Sequence, residues 1–304
     1  MFNLQHLIER AEALLARIES HFPPPPLPPD WEKVPAFRWR KRNQQGEFQP
    51  IYHPHQIRLQ DLQGIDLQKQ QIDRNTRQFL QKKPANNVLL WGSRGTGKSS
   101  LIKALLNEYS SQGLRLIEVE KHDLIDLPDI VEIFYNRHER FIIFCDDLSF
   151  EQDDASYKAL KSVLDGSISA PPENTLIYAT SNRRHLLPEY LHENLEAQMI
   201  EGEIHHGEAM EEKISLSDRF GLWLSFYPFG QPEYLAIVRY WLQELGVENT
   251  ESEDVQRAAK QWALKRGSRS GRSAWQFAQD WVGLLGTKAV TDTIPQGIVS
   301  STAD

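Results

Sequence analysis

Residues 88–100 read V-L-L-W-G-S-R-G-T-G-K-S-S, and no other stretch constrains the fold of the chain so tightly. An apolar run from Val88 to Trp91 meets a glycine-rich turn, and a helix-forming stretch opens at Lys98. The turn fits G-x-x-x-x-G-K-[ST] at Gly92, Gly97, Lys98 and Ser99, with Ser93, Arg94, Gly95 and Thr96 between and Ser100 following. Strand, loop and helix together form the setting in which this pattern cradles phosphate. Glycines are required because the backbone must curl with its N–H groups inward, where side chains would collide. The start of the helix adds partial positive charge at the same place. Lys98 is expected to reach the β- and γ-phosphates and the Ser99 hydroxyl to hold Mg²⁺. The rival reading, a glycine-rich turn without a nucleotide, has the strand and the helix against it. ATP and Mg²⁺ are the cofactors expected.

Four further apolar runs follow. Leu116–Val119 reads as a strand, 128–138 as a helix, and Phe141–Asp147 as a strand apolar enough to be covered on both faces. Ser156–Leu164 reads as helical, and Thr175–Ser181 and Leu222–Phe226 as strands. Alternating strands and helices imply an α/β fold, a doubly wound parallel sheet with ligands at the carboxyl ends of its strands. Asp146, Asp147 and Asn182 then gather beside the phosphate loop. Asp146 would hold Mg²⁺, mostly through water, and Asp147 would orient the attacking water, with Glu151 as the substitute. Asn182 could hydrogen-bond that water or the γ-phosphate. Aspartates are also common in plain strand-end turns, the competing reading. Residues 232–245, 253–265 and 271–285 read as a small all-helical second domain.

Outside this core the signals are weaker. Apolar residues at helical spacing make 3–20 an amphipathic helix, and six prolines between Pro23 and Pro29 form a stiff spacer. Residues 22–54 therefore read as a Pro-rich and basic linker. Within it, F-R-W-R-K-R at 37–42 interleaves basic and aromatic residues, a pattern that binds phosphate backbones or is simply a solvated connector. Asp61–Asp66 forms an apolar turn placed to cover an adenine ring and leads into a helix through Phe79. Residues 189–217 are polar, and His205-His206 lacks a spaced third ligand, so an exposed loop is expected there. The tail from Thr287 is small and polar and reads as disordered. A formal net charge of -8 argues against a nucleic-acid-coating surface, though a local patch remains open. The single cysteine, Cys145, excludes an internal disulfide framework and fits a reducing cytoplasm. The N-terminus is not that of a signal peptide, and no run reaches the roughly 18 apolar residues of a membrane span.

With these residues in place the sequence resembles the AAA+ ATPases. The phosphate loop, D-D at Asp146-Asp147, A-T-S-N ending at Asn182, S-D-R-F-G at 217–221 and the helical region occur in that family's order. The family's second acidic residue is usually Glu; here it is Asp147. That variant, with S-D-R-F-G-L-W-L-S-F, looks like the replication-initiator and helicase-loader branch. L-S-D-R-F-G-L-W-L-S-F and N-N-V-L-L-W-G resemble more closely an uncharacterised bacterial AAA+ family catalogued as a domain of unknown function. The resemblance covers roughly residues 55–285. It implies an αβα nucleotide-binding domain over 55–230, a helical lid over 231–286, and assembly as a homo-oligomeric ring or spiral, with a protein client among the partners it allows. It also implies that Arg219 is an arginine finger acting in the neighbouring subunit's site, where transition-state charge needs a planar cation. Arg272, with Arg269 as a close competitor, matches the lid arginine that senses the γ-phosphate. Arg183 and Arg184 would face the nucleotide or a partner. A slow ATPase that switches or remodels a partner follows. A P-loop small-molecule kinase and a nucleotide-gated, non-hydrolysing scaffold are the alternatives.

Overall fold

The computed structural model describes residues 4–19, 28–42, 45–150, 154–166, 172–184, 186, 198–200, 203–205 and 216–291. Residues 1–30 and 31–304 form separate compact units. In the first, α1 spans Leu4–Glu19, and Ile8, Leu14 and Leu15 on it are exposed.

The second unit is built on a sheet whose strands alternate their residues between two buried faces. In β3 (Val88–Gly92), Val88 and Leu90 enter one hydrophobic cluster and Leu89 the other. The same alternation runs through β4 (Leu114–Glu118), β5 (Arg140–Cys145) and β6 (Thr175–Ser181), where Ile142 and Phe144 oppose Phe141, Ile143 and Cys145. Burial on both sides explains runs without polar interruption. Helices α2 (Asp66–Leu80) and α3 (Lys98–Tyr109) contribute to the first face; α4 (Leu127–Glu132) and α5 (Ala155–Asp165) contribute to the second.

The sheet has seven strands in the order β2-β1-β4-β5-β6-β3-β9, where β1 is Ala36–Arg42, β2 is Gln45–Pro50 and β9 is Leu222–Phe226. All neighbours are parallel except β1 and β2. This is the expected α/β fold with two strands added. The linker reading of 22–54 fails at 36–42 and 45–50, which extend the sheet beside β4, with Ala36 opposite Leu116. Phe37 and Trp39 are buried on one face while Arg38 and Arg40 between and after them are not, a period of two that consecutive cations conceal in the sequence. Trp31 anchors this hairpin, with ring centroids 4.6 Å from Phe37, 5.1 Å from Phe48 and 5.2 Å from Phe141. Such aromatic pairs each contribute about 0.5–1.5 kcal/mol beyond their burial. The buried Arg115 guanidinium donates to the main-chain oxygens of Trp31 and Glu32 and ties the segment to β4.

Other boundaries also move. The helix expected over 128–138 is shorter: α4, preceded by a 3₁₀ turn at Lys121–Asp126, ends at Glu132, and Phe134 beyond it stacks on Phe141 at 4.0 Å. Within the stretch read as loop, Gln198–Ile200 (β7) and Glu203–His205 (β8) pair as a short antiparallel ribbon, so His205 lies on a strand; His206 lies outside the described residues. Helices α6 (Gln231–Glu244), α7 (Glu253–Arg266) and α8 (Gly271–Thr291) follow β9, and α8 runs past Thr287, where the tail was expected. Their buried faces continue the first cluster through Ile237, Leu242 and Phe277. Arg58 joins the two parts of this unit, donating to Asp61 at 2.8 Å and to Glu244 of α6 at 2.6 Å.

Candidate functional site

The turn after β3 is shaped by contacts that exclude side chains. Gly92 has φ +125°, and a Cβ there would stand 2.0 Å from the Phe226 carbonyl oxygen of β9. Gly95 has φ +74°, and its Cβ would meet Ser270, just before α8, at 2.9 Å. The start of α8 and the loop therefore touch directly, and the Arg272 N–H donates to the Gly95 carbonyl at 3.3 Å. Thr96 closes the turn on the Ser93 carbonyl at 2.7 Å.

A cavity of about 800 Å³ opens over this turn. Arg94–Ser100 line it, with Asp146, Asp147 and Asn182 from the strand ends and Arg272 from α8. Ile57, Leu62 and Ile65 line one apolar side, the last two from the turn at Asp61–Asp66. Phe229, just before α6, Ile237 and Trp241 of α6 and Trp275 of α8 complete it. The two tryptophans meet edge-on at 4.6 Å. They, and Asn107, which donates to the carbonyls of His55 and Ile57 at 2.7 Å each, carry no motif signal, so sequence reasoning misses them.

Lys98 is almost fully buried and donates to the carbonyls of Gly92 and Ser93 at 2.8 Å each and to Asn182 Oδ1 at 3.3 Å. Burial depresses its pKa, while Asp147 and Asp146 oppose that shift. Arg94 and Arg272 add to the depression, so three cations converge here and none is ion-paired among the described residues. Asn182 Nδ2 donates to Asp147 Oδ1. Ser99 Oγ donates to Asp146 Oδ1 at 2.6 Å. Thr180 Oγ1 donates to the same oxygen at 2.6 Å and accepts the Asp147 N–H at 2.8 Å. Asp147 holds a left-handed backbone, φ +51°, costly for a non-glycine residue.

These residues fit a nucleotide and its ion. A glycine cradle, uncompensated cations and an apolar recess match phosphates and a base. One hydroxyl and one carboxylate suit Mg²⁺, which keeps several waters and takes phosphate oxygens.

The phosphate-loop residues, Asp146, Asp147, Asn182 and Arg272 thus converge. Arg219, Arg269, Arg183 and Arg184 are not among the cavity's lining residues. Arg184 lies over the Trp91 ring at 5.7 Å, and Arg219 is ion-paired with Asp165 at the end of α5. Leu222 pairs with Val88 and Phe226 with Gly92, so Arg219 sits at the end of the strands opposite the loop. Glu151 lies outside the described residues. No helix among the described residues is long and apolar enough to cross a membrane.

The basic hairpin is different. Arg38 pairs with Glu118 at 2.6 Å, Arg40 with Glu120 at 3.6 Å, Lys41 with Asp126 at 2.5 Å and Arg42 with Glu47 at 3.9 Å. Trp39 is buried and donates to Asp126 at 3.1 Å, so it offers no ring to a base.

Solved structures share this architecture. A single-site variant of Thermotoga maritima RuvB matches with a TM-score of 0.53 at 16% identity, over 76% of this chain and 66% of that one. Thermotoga maritima RuvB described as a Holliday junction branch migration motor matches at 0.51 and 19%, over the same 76% and 66%. The chain thus spans just under two thirds of RuvB's length, and at these identities the likeness is one of fold. Comparison with curated proteins gave no match. Residues 32–285 match the family described as protein of unknown function DUF815, and on that span of the sequence the chain belongs to this family.

Proposed function

We propose that this chain is an ATP-binding AAA+ protein that hydrolyses ATP slowly with Mg²⁺ and acts in the cytoplasm as an assembling switch or remodeller of a protein partner. One observation carries the reading. The side chains of Lys98, Asn182 and Asp147, and of Ser99 and Asp146, are hydrogen-bonded in sequence along the mouth of a cavity bounded by the phosphate loop and the lid. A binding pocket alone would not need two strand-end aspartates linked to the loop's own lysine and serine.

In this reading Lys98 releases the loop carbonyls and takes phosphate oxygens, and Ser99 and Asp146 would hold Mg²⁺. The ion, when bound, neutralises phosphate charge that develops as the bond to the leaving oxygen breaks. Asp147 orients the attacking water, and Asn182 fixes the Asp147 carboxylate against Lys98. Arg272 sits where the lid meets the loop, which favours it over Arg269 as the sensor of the terminal phosphate. Arg219 stands at the far end of the sheet from its own loop, so a role in hydrolysis requires a second subunit. Initiator-branch membership stays a finer proposal on the D-D pair. The fully paired hairpin gives a nucleic-acid role no support.

The test is Lys98→Ala, compared with the parent by calorimetry with ATP and by phosphate release. Loss of tight binding and turnover is expected, since no other loop cation stands at the carbonyls of Gly92 and Ser93. Unchanged affinity and turnover would remove the basis of the proposal.

A further inference from the structure

We infer that Thr180 is a positioning residue, whose hydroxyl sets the orientation of Asp146 and the backbone of Asp147; the inference rests on the nucleotide reading of this site. The parallel ladder between β5 and β6 ends at Cys145 opposite Ala179. Beyond that pair, residues 146–148 have no further strand pairing to hold them. Thr180 takes over. Its hydroxyl carries one proton, and the Asp147 N–H can only donate, so the proton points to Asp146 Oδ1 at 2.6 Å while a lone pair accepts that N–H at 2.8 Å. Its carbonyl accepts the Leu148 N–H at 2.7 Å, and Ser181 Oγ donates to the Leu148 carbonyl at 2.7 Å. Three consecutive residues of one strand end are thus fastened to two of the next.

Two features make the hydroxyl matter for function. Asp146 Oδ1 receives Ser99 as well as Thr180, but Ser99 is itself a proposed ligand of the ion. Thr180 is then the donor that stays on the carboxylate when Ser99 turns away. It is 2% exposed, so water does not readily replace it. Asp147, held at φ +51°, depends on the same hydroxyl for its N–H. Losing it frees the backbone to relax and carry the carboxylate away from Asn182.

Thr180→Val keeps the size and removes the hydroxyl; Thr180→Ser keeps the hydroxyl. ATP binding is measured by calorimetry with and without Mg²⁺, together with the Mg²⁺ dependence of phosphate release. For Thr180→Val, half-saturating Mg²⁺ should rise about ten- to a hundredfold, the scale of one hydrogen bond to a charged group. Affinity for metal-free ATP should stay within about twofold, because Lys98 and the loop are untouched, and Thr180→Ser should lie near the parent. A general packing defect would weaken both affinities and spare neither variant. If Thr180→Val does not fold, Thr180→Ala gives the same comparison. Unchanged Mg²⁺ dependence in a folded variant, with Lys98→Ala still defective, overturns this inference and leaves the nucleotide reading standing. If the parent binds no ATP, the nucleotide reading falls. The fastening is then judged by hydrogen exchange at the Asp147 amide, which should quicken at least tenfold in Thr180→Val; equal exchange refutes it.

Discussion

The phosphate loop and the β1–β2 hairpin are both basic, aromatic and short, yet their cations stand in opposite circumstances. Arg38, Arg40, Lys41 and Arg42 each lie against a carboxylate, and Phe37 and Trp39 beside them are core residues. Arg94, Lys98 and Arg272 converge on a cavity without an ion pair among the described residues, and Lys98 is held by neutral carbonyls and an amide. A cation whose carboxylate is already in place gains little from a second anion. One desolvated beside uncharged acceptors still has its charge to satisfy. Pairing, rather than the density of basic residues, is what distinguishes the two regions.

Arg219 strains that comparison most, because it is paired with Asp165 and yet proposed to act on a neighbour's nucleotide. In trans, an arginine finger is worth roughly 10³–10⁵ in rate. Arg219→Ala should therefore bind ATP and lose most turnover, and the parent's specific activity should rise with protein concentration. Mixing Arg219→Ala with Lys98→Ala should recover activity, since mixed interfaces unite an intact loop with an intact arginine. If mixed oligomers form and stay inactive, Arg219 is a structural cation like those of the hairpin, and the comparison holds without exception.

A smaller effect is expected where the cavity's negative side is altered. Asp147→Asn keeps the shape and the contact with Asn182 but removes the charge that orients water. Turnover should fall by roughly 10²–10⁴ while ATP still binds, as is usual for such groups. If Asp147→Asn hydrolyses normally and Glu151→Gln does not, the water-orienting carboxylate is Glu151 and the assignment to Asp147 is wrong.

Much of this could be read from residues alone, for identifiable reasons. Gly92, Gly97 and Lys98 announce the loop because backbone geometry admits few substitutes, and Leu222–Phe226 forms β9 with the boundaries expected. The central strands are visible because burial on both faces leaves uninterrupted apolar runs. The hairpin is not, since its alternation is overlaid by four basic residues whose partners lie in β2, β4 and the turn near Asp126. Thr180 is hidden differently: it stands inside a recognised strand end, but its role depends on hydrogen bonds to residues 34 and 33 positions away. Trp241 and Trp275 join the cavity only through packing of α6 against α8.

The least change is expected from the hairpin. Arg40 and Arg42 are its most exposed cations, and their ion pairs, at 3.6 and 3.9 Å, are its longest. Surface pairs of this kind contribute about 0–1 kcal/mol, because water screens them and two long side chains must be ordered to form them. Replacing both by Gln should shift stability by no more than about 2 kcal/mol in chemical denaturation, up to about 1 for each pair, and leave ATP binding and turnover unchanged. Binding to a duplex oligonucleotide, measured across a salt series, should be weak and identical before and after, because phosphates would have to displace carboxylates already in contact. A parent that binds DNA tightly, with a salt dependence that falls by about one phosphate contact per arginine removed, would break the comparison. The paired cations of the hairpin would then be exchangeable, and pairing in the isolated chain would no longer tell a structural patch from a binding one.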